Sequence, residues 1–181
     1  SSNEWHFVRC LSDNYTGWTP TVSLNRKNFT PSPIDTTDFV PIKTPTFVCF
    51  KTSSVEKISL PGGGITPLII NDQFELLSEI YQVAQYLPGF DNKKLNGQHV
   101  VELALQYINA PYLWGGKTIF GMDCAGLIQV VYSMLGITMP RDTMQQVEKG
   151  KTVDFISEVE AGDIAYFENN EGEITHVGIL L

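Results

Sequence analysis

Two side chains in this sequence of 181 residues are best suited to chemistry: the thiol of Cys124 and the imidazole of His176. A thiolate attacks carbonyl carbon, and an imidazole takes and returns protons near neutral pH. Cys124 lies in Asp123-Cys124-Ala125-Gly126, ahead of an apolar run to Leu135. Leu127, Ile128, Val131, Met134 and Leu135 recur at helical spacing. Asp123 is a good N-cap and Gly136 a natural stop. The spacing therefore predicts a helix with Cys124 in its first turn. Unpaired N–H groups and the helix dipole there favour an anion, hence the thiolate. The competing reading is a small buried hydrophobe, the usual role of a free cysteine.

His176 opens the apolar run 176–181, so its ring can leave a sheet end toward a helix N-terminus. A Cys on a helix facing a His on a neighbouring strand is the geometry of papain-like proteases. The remaining histidines, His6 in an N-terminal β region and His99 at the start of a helix, read as surface or interface residues. Cys10 and Cys49 lie in strand-like runs and read as buried free thiols, with a 10–49 disulfide as the alternative; the count is odd, so one thiol is unpaired within the chain. No C-x₂-C or H-E-x-x-H spacing occurs, so no metal centre or cofactor is expected.

Apolar residues make up 43% and charged residues 18% of the chain, which fits a folded globular protein. The net charge is −8 and no basic cluster exceeds two adjacent residues (Arg26-Lys27, Lys93-Lys94), which argues against nucleic acid and anionic membrane as partners. Apolar runs stop far short of the ~20 residues of a membrane-spanning helix. The opening Ser-Ser-Asn-Glu-Trp has neither the basic nor the apolar part of a signal peptide. A processed start would look the same, so export stays open.

The elements that must position these groups follow from local pattern. Residues 5–11 and 15–20 read as strands around a turn at Ser12-Asp13-Asn14. Two strands do not make a stable domain, so an earlier start of the chain is expected. Pro31, Pro33, Pro41 and Pro45 mark 31–45 as a semi-rigid connector. Strands are expected at 47–51, 57–60 and 65–70, with a turn at Pro61-Gly62-Gly63-Gly64. The stretch 71–86 is ambiguous: Phe74, Leu77, Ile80, Tyr81 and Ala84 suit a helix behind an Asp72/Glu75 pair, yet 80–86 also reads as a strand. Completing a small barrel over 46–94 favours strands. Val100, Val101, Leu103, Ala104, Tyr107 and Ile108 predict a helix over 98–108, and Pro111 then forces an extended segment. After the Cys124 helix come a short helical stretch at 144–149 and a closing hairpin of 163–167 with 176–181.

Four blocks in order carry a resemblance: Pro111-Tyr112-Leu113-Trp114-Gly115-Gly116, Asp123-Cys124-Ala125-Gly126, Pro140-Arg141-Asp142, and Gly162-Asp163 followed by His176-Val177-Gly178-Ile179. Together they resemble the NlpC/P60 family of cell-wall cysteine peptidases over about 98–181. Upstream, Asp13-Asn14-Tyr15-Thr16-Gly17-Trp18 resembles a strand signature of bacterial SH3-like (SH3b) domains, and 46–94 looks like a second one. The resemblance implies an α+β architecture. A partial SH3b-like domain at 1–30, the connector at 31–45 and a second SH3-like β-barrel at 46–94 precede a papain-like catalytic domain at 95–181, which stops short of its last strands. The layout is similar to the branch that hydrolyses the γ-D-glutamyl–diaminopimelate bond of murein peptides bearing a free N-terminal L-alanine.

By the same resemblance Cys124 is the nucleophile, and His176 the general base and then the acid that protonates the leaving amine. Tyr112, with backbone amides at Cys124, stabilises the oxyanion. Trp114 walls the groove. Asp123, Ala125, Arg141, Asp142 and Thr143 line the substrate pocket, Asp142 meeting the free α-amine, and Tyr15 closes it from the first SH3b region. Blander roles compete: core aromatics for Tyr112 and Trp114, an N-cap for Asp123, a surface turn for Arg141-Asp142. The chain departs from the family pattern twice. Ala125 stands where the family usually has serine, and a third polar residue that would orient His176 is expected beyond Leu181. The implied partner is a murein peptide, with no nucleic acid and no membrane insertion, acted on by a monomer in the cell envelope or periplasm in preference to the cytoplasm. The rival readings are a cell-wall-binding module with an inactive or incomplete catalytic domain, and an amidase or acyltransferase on the same fold.

Overall fold

A computed structural model describes residues 4–10, 13–24, 39–54, 56–76, 78–84 and 96–181. The chain divides into two units, 1–37 and 38–181. In the first, β1 (Trp5–Arg9) and β2 (Thr16–Pro20) pair antiparallel, with Phe7 opposite Trp18 and their rings edge to face at 5.4 Å. Asn14 takes the turn's positive φ of 59°. His6 shares a 2.9 Å hydrogen bond with the Thr21 hydroxyl. Cys10, expected to be buried, is exposed, because a two-stranded ribbon offers a single layer; all three cysteines are free thiols.

The second unit opens with a β region. β4 (Thr46–Lys51), β5 (Lys57–Pro61), β7 (Gln73–Leu76) and β8 (Glu79–Val83) form one antiparallel sheet in the order β5-β4-β8-β7. β3 (Phe39–Pro41) and β6 (Ile65–Pro67) pair beside it. Alternation along β4 turns Phe47 and Cys49 inward, where they join Ile42, Phe74 and Val83 in one cluster. Burial pushes the Cys49 thiol up from its ordinary value. The described residues of the ambiguous stretch thus carry two strands, β7 and β8, and Ser78 between them has a φ of 62°. Two expectations change here. Residues 39–41 of the supposed connector are strand β3, and Ile42 is core; a proline at the end of an edge strand loses no ladder bond. The described strands form open sheets and no closed barrel. The rest of the connector, 31–38, and the boundary near 94 lie outside the described residues.

The helical region starts at α1 (Gly97–Leu105), whose N-cap is a reciprocal capping box: Asn96 Oδ1 accepts from the His99 amide, and His99 Nδ1 accepts from the Asn96 amide. α2 (Cys124–Met134) is buried nearly all round. Val130, Val131 and Met134 pack on Val100, Leu103 and Tyr107, while Ile128 packs with Met139 and Val177. Each such buried aliphatic chain contributes roughly 1.5–3 kcal/mol, so the helix is fixed from two sides. Gly136, at φ 78°, ends it. β11 (Ile164–Glu168) and β12 (Ile174–Ile179) close the unit as an antiparallel hairpin, and the Tyr132 hydroxyl donates to the Gly162 carbonyl just before it. The β region is docked on α2 by its β5–β6 turn: the Ser133 hydroxyl donates to the Gly63 carbonyl at 2.7 Å.

Candidate active site

Asp123 is the hub of the site. It caps α2 with Oδ1, which accepts from the Gly126 amide at 2.6 Å. Its other oxygen, Oδ2, accepts from the Gly115 amide at 2.7 Å and from the Arg141 guanidinium at 2.5 Å. Burial works to raise the carboxyl's pKa, but Arg141 and the two amides outweigh it and hold it below the ordinary value. With Gly126 engaged, the amides of Cys124 and Ala125 are the first-turn donors that lack an intrahelical acceptor. They sit at the positive end of the helix dipole, where negative charge developing on a carbonyl oxygen is stabilised.

The loop before Cys124 is laid against this turn by backbone. Tyr112 bridges to Met122, the Met122 amide donates to the Pro111 carbonyl, and the Asp123 amide donates to that of Gly116. β9 (Lys117–Thr118) and β10 (Gly121–Met122) make its short return. The Gly116 carbonyl lies so close to the helix that a Cβ on Gly126 would collide with it. This explains the glycine two residues after the cysteine. Tyr112 and Trp114 are 65% and 85% exposed, so neither is a core aromatic.

On the other side of Cys124 runs the segment from Met139 to α3 (Thr143–Gln146). Gln129 donates to the Met139 carbonyl, and Gln146 donates to those of Ala125, at 3.0 Å, and Pro140, at 2.8 Å. Gln146 was not among the residues expected to matter, yet it is fully buried. Asp142 is exposed at the N-cap of α3, and its side chain makes no capping bond there.

His176 does not open its strand. It is the third residue of β12, opposite Phe167, with the two rings 5.9 Å apart and tilted by 35°. The next residue, Val177, is buried against Ile128 and Met139, with Cys124 packed on the same cluster. The packing of Val177 brings β12 onto the first turns of α2, and His176, beside it in the strand, is exposed. Of the other expected site residues, Thr143 is half-buried, and Ala125 and Asp123 are buried. Arg141, expected to line the pocket, is largely buried against Asp123. Tyr15 belongs to the first unit, where its amide donates to Asp13. His6 and His99 have the structural roles given above. An apolar cavity of about 620 Å³ lies on the β region, between Phe39, Leu68, Ile70, Phe74 and Ile80.

Residues 109–181 match the model of the NlpC/P60 family. The blocks at Cys124 and His176 fall within the matched residues. The chain is 27% identical to a gamma-D-glutamyl-L-lysine dipeptidyl-peptidase of Bacillus subtilis, over 91% of its own length and 56% of the relative's. It is 38% identical to a bifunctional muramidase/DL-endopeptidase of the same organism, over 56% of this chain and 34% of that one. Its fold is shared with the crystal structure of an NlpC/P60 family protein from Bacillus cereus, at a TM-score of 0.74 and 24% identity, over 93% of this chain and 59% of that one. The chain thus spans little more than half the length of these two full-span relatives. Among the described residues no helix is long and apolar enough to cross a membrane, and no group of three or more His, Cys, Asp or Glu gathers as metal ligands do.

Proposed function

We propose that the protein is a cysteine endopeptidase of murein peptides, cleaving the bond between γ-D-glutamate and the following diamino acid when the peptide carries a free N-terminal L-alanine. The observation that most supports this reading is Cys124 in the first turn of an Asp123-capped helix, with the strand bearing His176 packed on that helix. The printed name of the Bacillus subtilis relative, a gamma-D-glutamyl-L-lysine dipeptidyl-peptidase, supports the bond. The diamino acid is diaminopimelate or lysine.

In this mechanism His176 takes the thiol proton and the Cys124 sulfur attacks the γ-carbonyl carbon of D-glutamate. The oxyanion meets the Cys124 amide and the Tyr112 hydroxyl. The tetrahedral intermediate collapses, His176 protonates the leaving amine, and water activated by the same ring hydrolyses the thioester. Asp142 offers its unengaged carboxylate to the α-amine of L-alanine, and Trp114 walls the groove. The β regions act as SH3b-like modules, and the enzyme works as a monomer on cell-wall peptides outside the cytoplasm.

Incubation with L-Ala-γ-D-Glu-diaminopimelate and its L-Lys counterpart, read by mass spectrometry, is expected to release L-Ala-D-Glu and the diamino acid, and Cys124→Ala to release neither. Intact peptides after incubation with the wild-type protein would overturn the proposal. Loss of another group would instead point to amidase or acyl-transfer chemistry.

A further inference from the structure

We infer that Gln146 is a positioning residue for the thiol chemistry, closing a hydrogen-bonded ring that holds the two residues flanking Cys124. This rests on the reading of Cys124 as nucleophile. The ring can be traced bond by bond. Asp123 Oδ1 accepts from the Gly126 amide. The same peptide unit offers its other end, the Ala125 carbonyl, to Gln146 Nε2. Gln146 Nε2 also donates to the Pro140 carbonyl. The peptide unit of Pro140 leads into Arg141, whose guanidinium returns to Asp123 Oδ2. Cys124 stands between the two residues that the ring grips, Asp123 from the Arg141 side and Ala125 from the Gln146 side.

Gln146 carries a signature of a residue kept for its donors. It is fully buried, and its Oε1 meets no hydrogen-bond partner among the described residues. Methionine would fill the same volume without an unsatisfied buried carbonyl, so packing alone argues against glutamine there. What methionine cannot do is hold two carbonyls at a fixed separation. Fixing them keeps the first turn of α2 still while its amides receive the oxyanion, and preorganised donors act only if they do not have to reorganise. The same bonds set the Arg141-Asp142 corner against that turn. Gln146 touches no reacting atom in this scheme; it acts through the Cys124 amide.

The test separates steps that need an oxyanion from one that does not. Acylation of Cys124 by p-nitrophenyl acetate forms a C–S bond through a tetrahedral oxyanion and expels p-nitrophenolate. Alkylation by iodoacetamide forms a C–S bond and expels iodide with no oxyanion. In Gln146→Met, acylation is expected to slow by about tenfold or more while alkylation of the same thiol stays within about twofold. Equal changes in both rates, or none, overturn the inference. Should the Met variant lose its cooperative melt, Gln146→Glu supplies the same pair of rates, and its acylation should recover relative to wild type as falling pH returns a donor proton to the carboxyl. If neither variant folds, Gln146 is a folding residue and the positioning role is withdrawn. Neither probe is a murein peptide, so a failure of the proposed substrate leaves these rates readable.

Discussion

Arg141 reaches back across the turn to donate to Asp123 Oδ2 at 2.5 Å, and only 11% and 7% of the two side chains are exposed. The pair joins the residue before Cys124 to the corner that carries Asp142. Because Asp123 also accepts from Gly115 and Gly126, one carboxylate fixes the preceding loop, α2 and the following corner together. The loop that carries Trp114 and the corner that carries Asp142 therefore depend on the same charge.

Removing Arg141 leaves that carboxylate buried without its cation. Breaking a buried pair by taking one partner away costs about 3–5 kcal/mol, so Arg141→Met should lower stability by that order at neutral pH. The acid dependence carries the sign. Asp123 titrates below its ordinary value of 3.8 in the folded protein, so it adds stability above that value and loses it as pH falls through the folded one. In the variant the burial contribution remains and the cation is gone, so the carboxyl rises and this acid-side loss shrinks or reverses. Melting temperatures from neutral to acid pH check it; parallel curves for the two proteins would refute the role.

Gly126→Ala tests the close approach of loop and helix. Alanine is the better helix former, yet its Cβ would meet the Gly116 carbonyl. Overpacking of this kind costs about 1–3 kcal/mol, and here it pushes the Trp114 loop off the nucleophile's turn. A lower melting temperature together with reduced murein-peptide cleavage is expected. A stabilised, fully active variant would show that the loop can give.

The catalytic helix was legible in the sequence because everything that makes it is local: the Asp123 cap, the 3.6-residue apolar spacing and the stop at Gly136. The strands at 46–51 and 57–61 were legible by alternation between turn residues. Other features depend on contacts distant in sequence. β3 hid among prolines because pairing with β6, not its own composition, makes it a strand. His176 was read as a strand opening because the polar residues before it resemble a turn. Asn169 gathers the turn instead, accepting from the amides of Glu171 and Glu173, and β12 starts at Ile174. Gln146 looks like a solvated helix residue in sequence; only the approach of the Ala125 and Pro140 carbonyls makes it core. An exposed polar run and a buried bracket have the same local pattern.

The β5–β6 turn offers a test of how the β region is held on the catalytic helix. A Cβ on Gly62 would run into the Met134 side chain, the Thr44 carbonyl and the Tyr107 hydroxyl at once. Gly62→Ala should therefore weaken the docking; neither the Phe47–Phe74 cluster nor the α1–α2 cluster loses a side chain, and only Met134 and Tyr107 of the latter must shift. Calorimetry is expected to resolve the wild-type transition into two in the variant. A single transition at an unchanged temperature would mean that the turn adjusts freely.

Asp142 carries the specificity claim. Its backbone carbonyl accepts from the Gln145 and Gln146 amides, so the turn holds without its side chain, and the carboxylate is exposed and makes no cap bond. Asp142→Ala should then fold as well as wild type. A charge-assisted hydrogen bond to an ammonium contributes roughly 1.5–3 kcal/mol, so KM for peptides with a free N-terminal L-alanine should rise by about tenfold or more. N-acetylated peptides lack the ammonium and should be turned over at the variant's and the wild type's rates alike. Asp142→Asn keeps the shape and loses the charge; it should behave as alanine does if charge is what selects the amine. Equal losses on free and acetylated peptides would move Asp142 from amine recognition to a general role in shaping the groove.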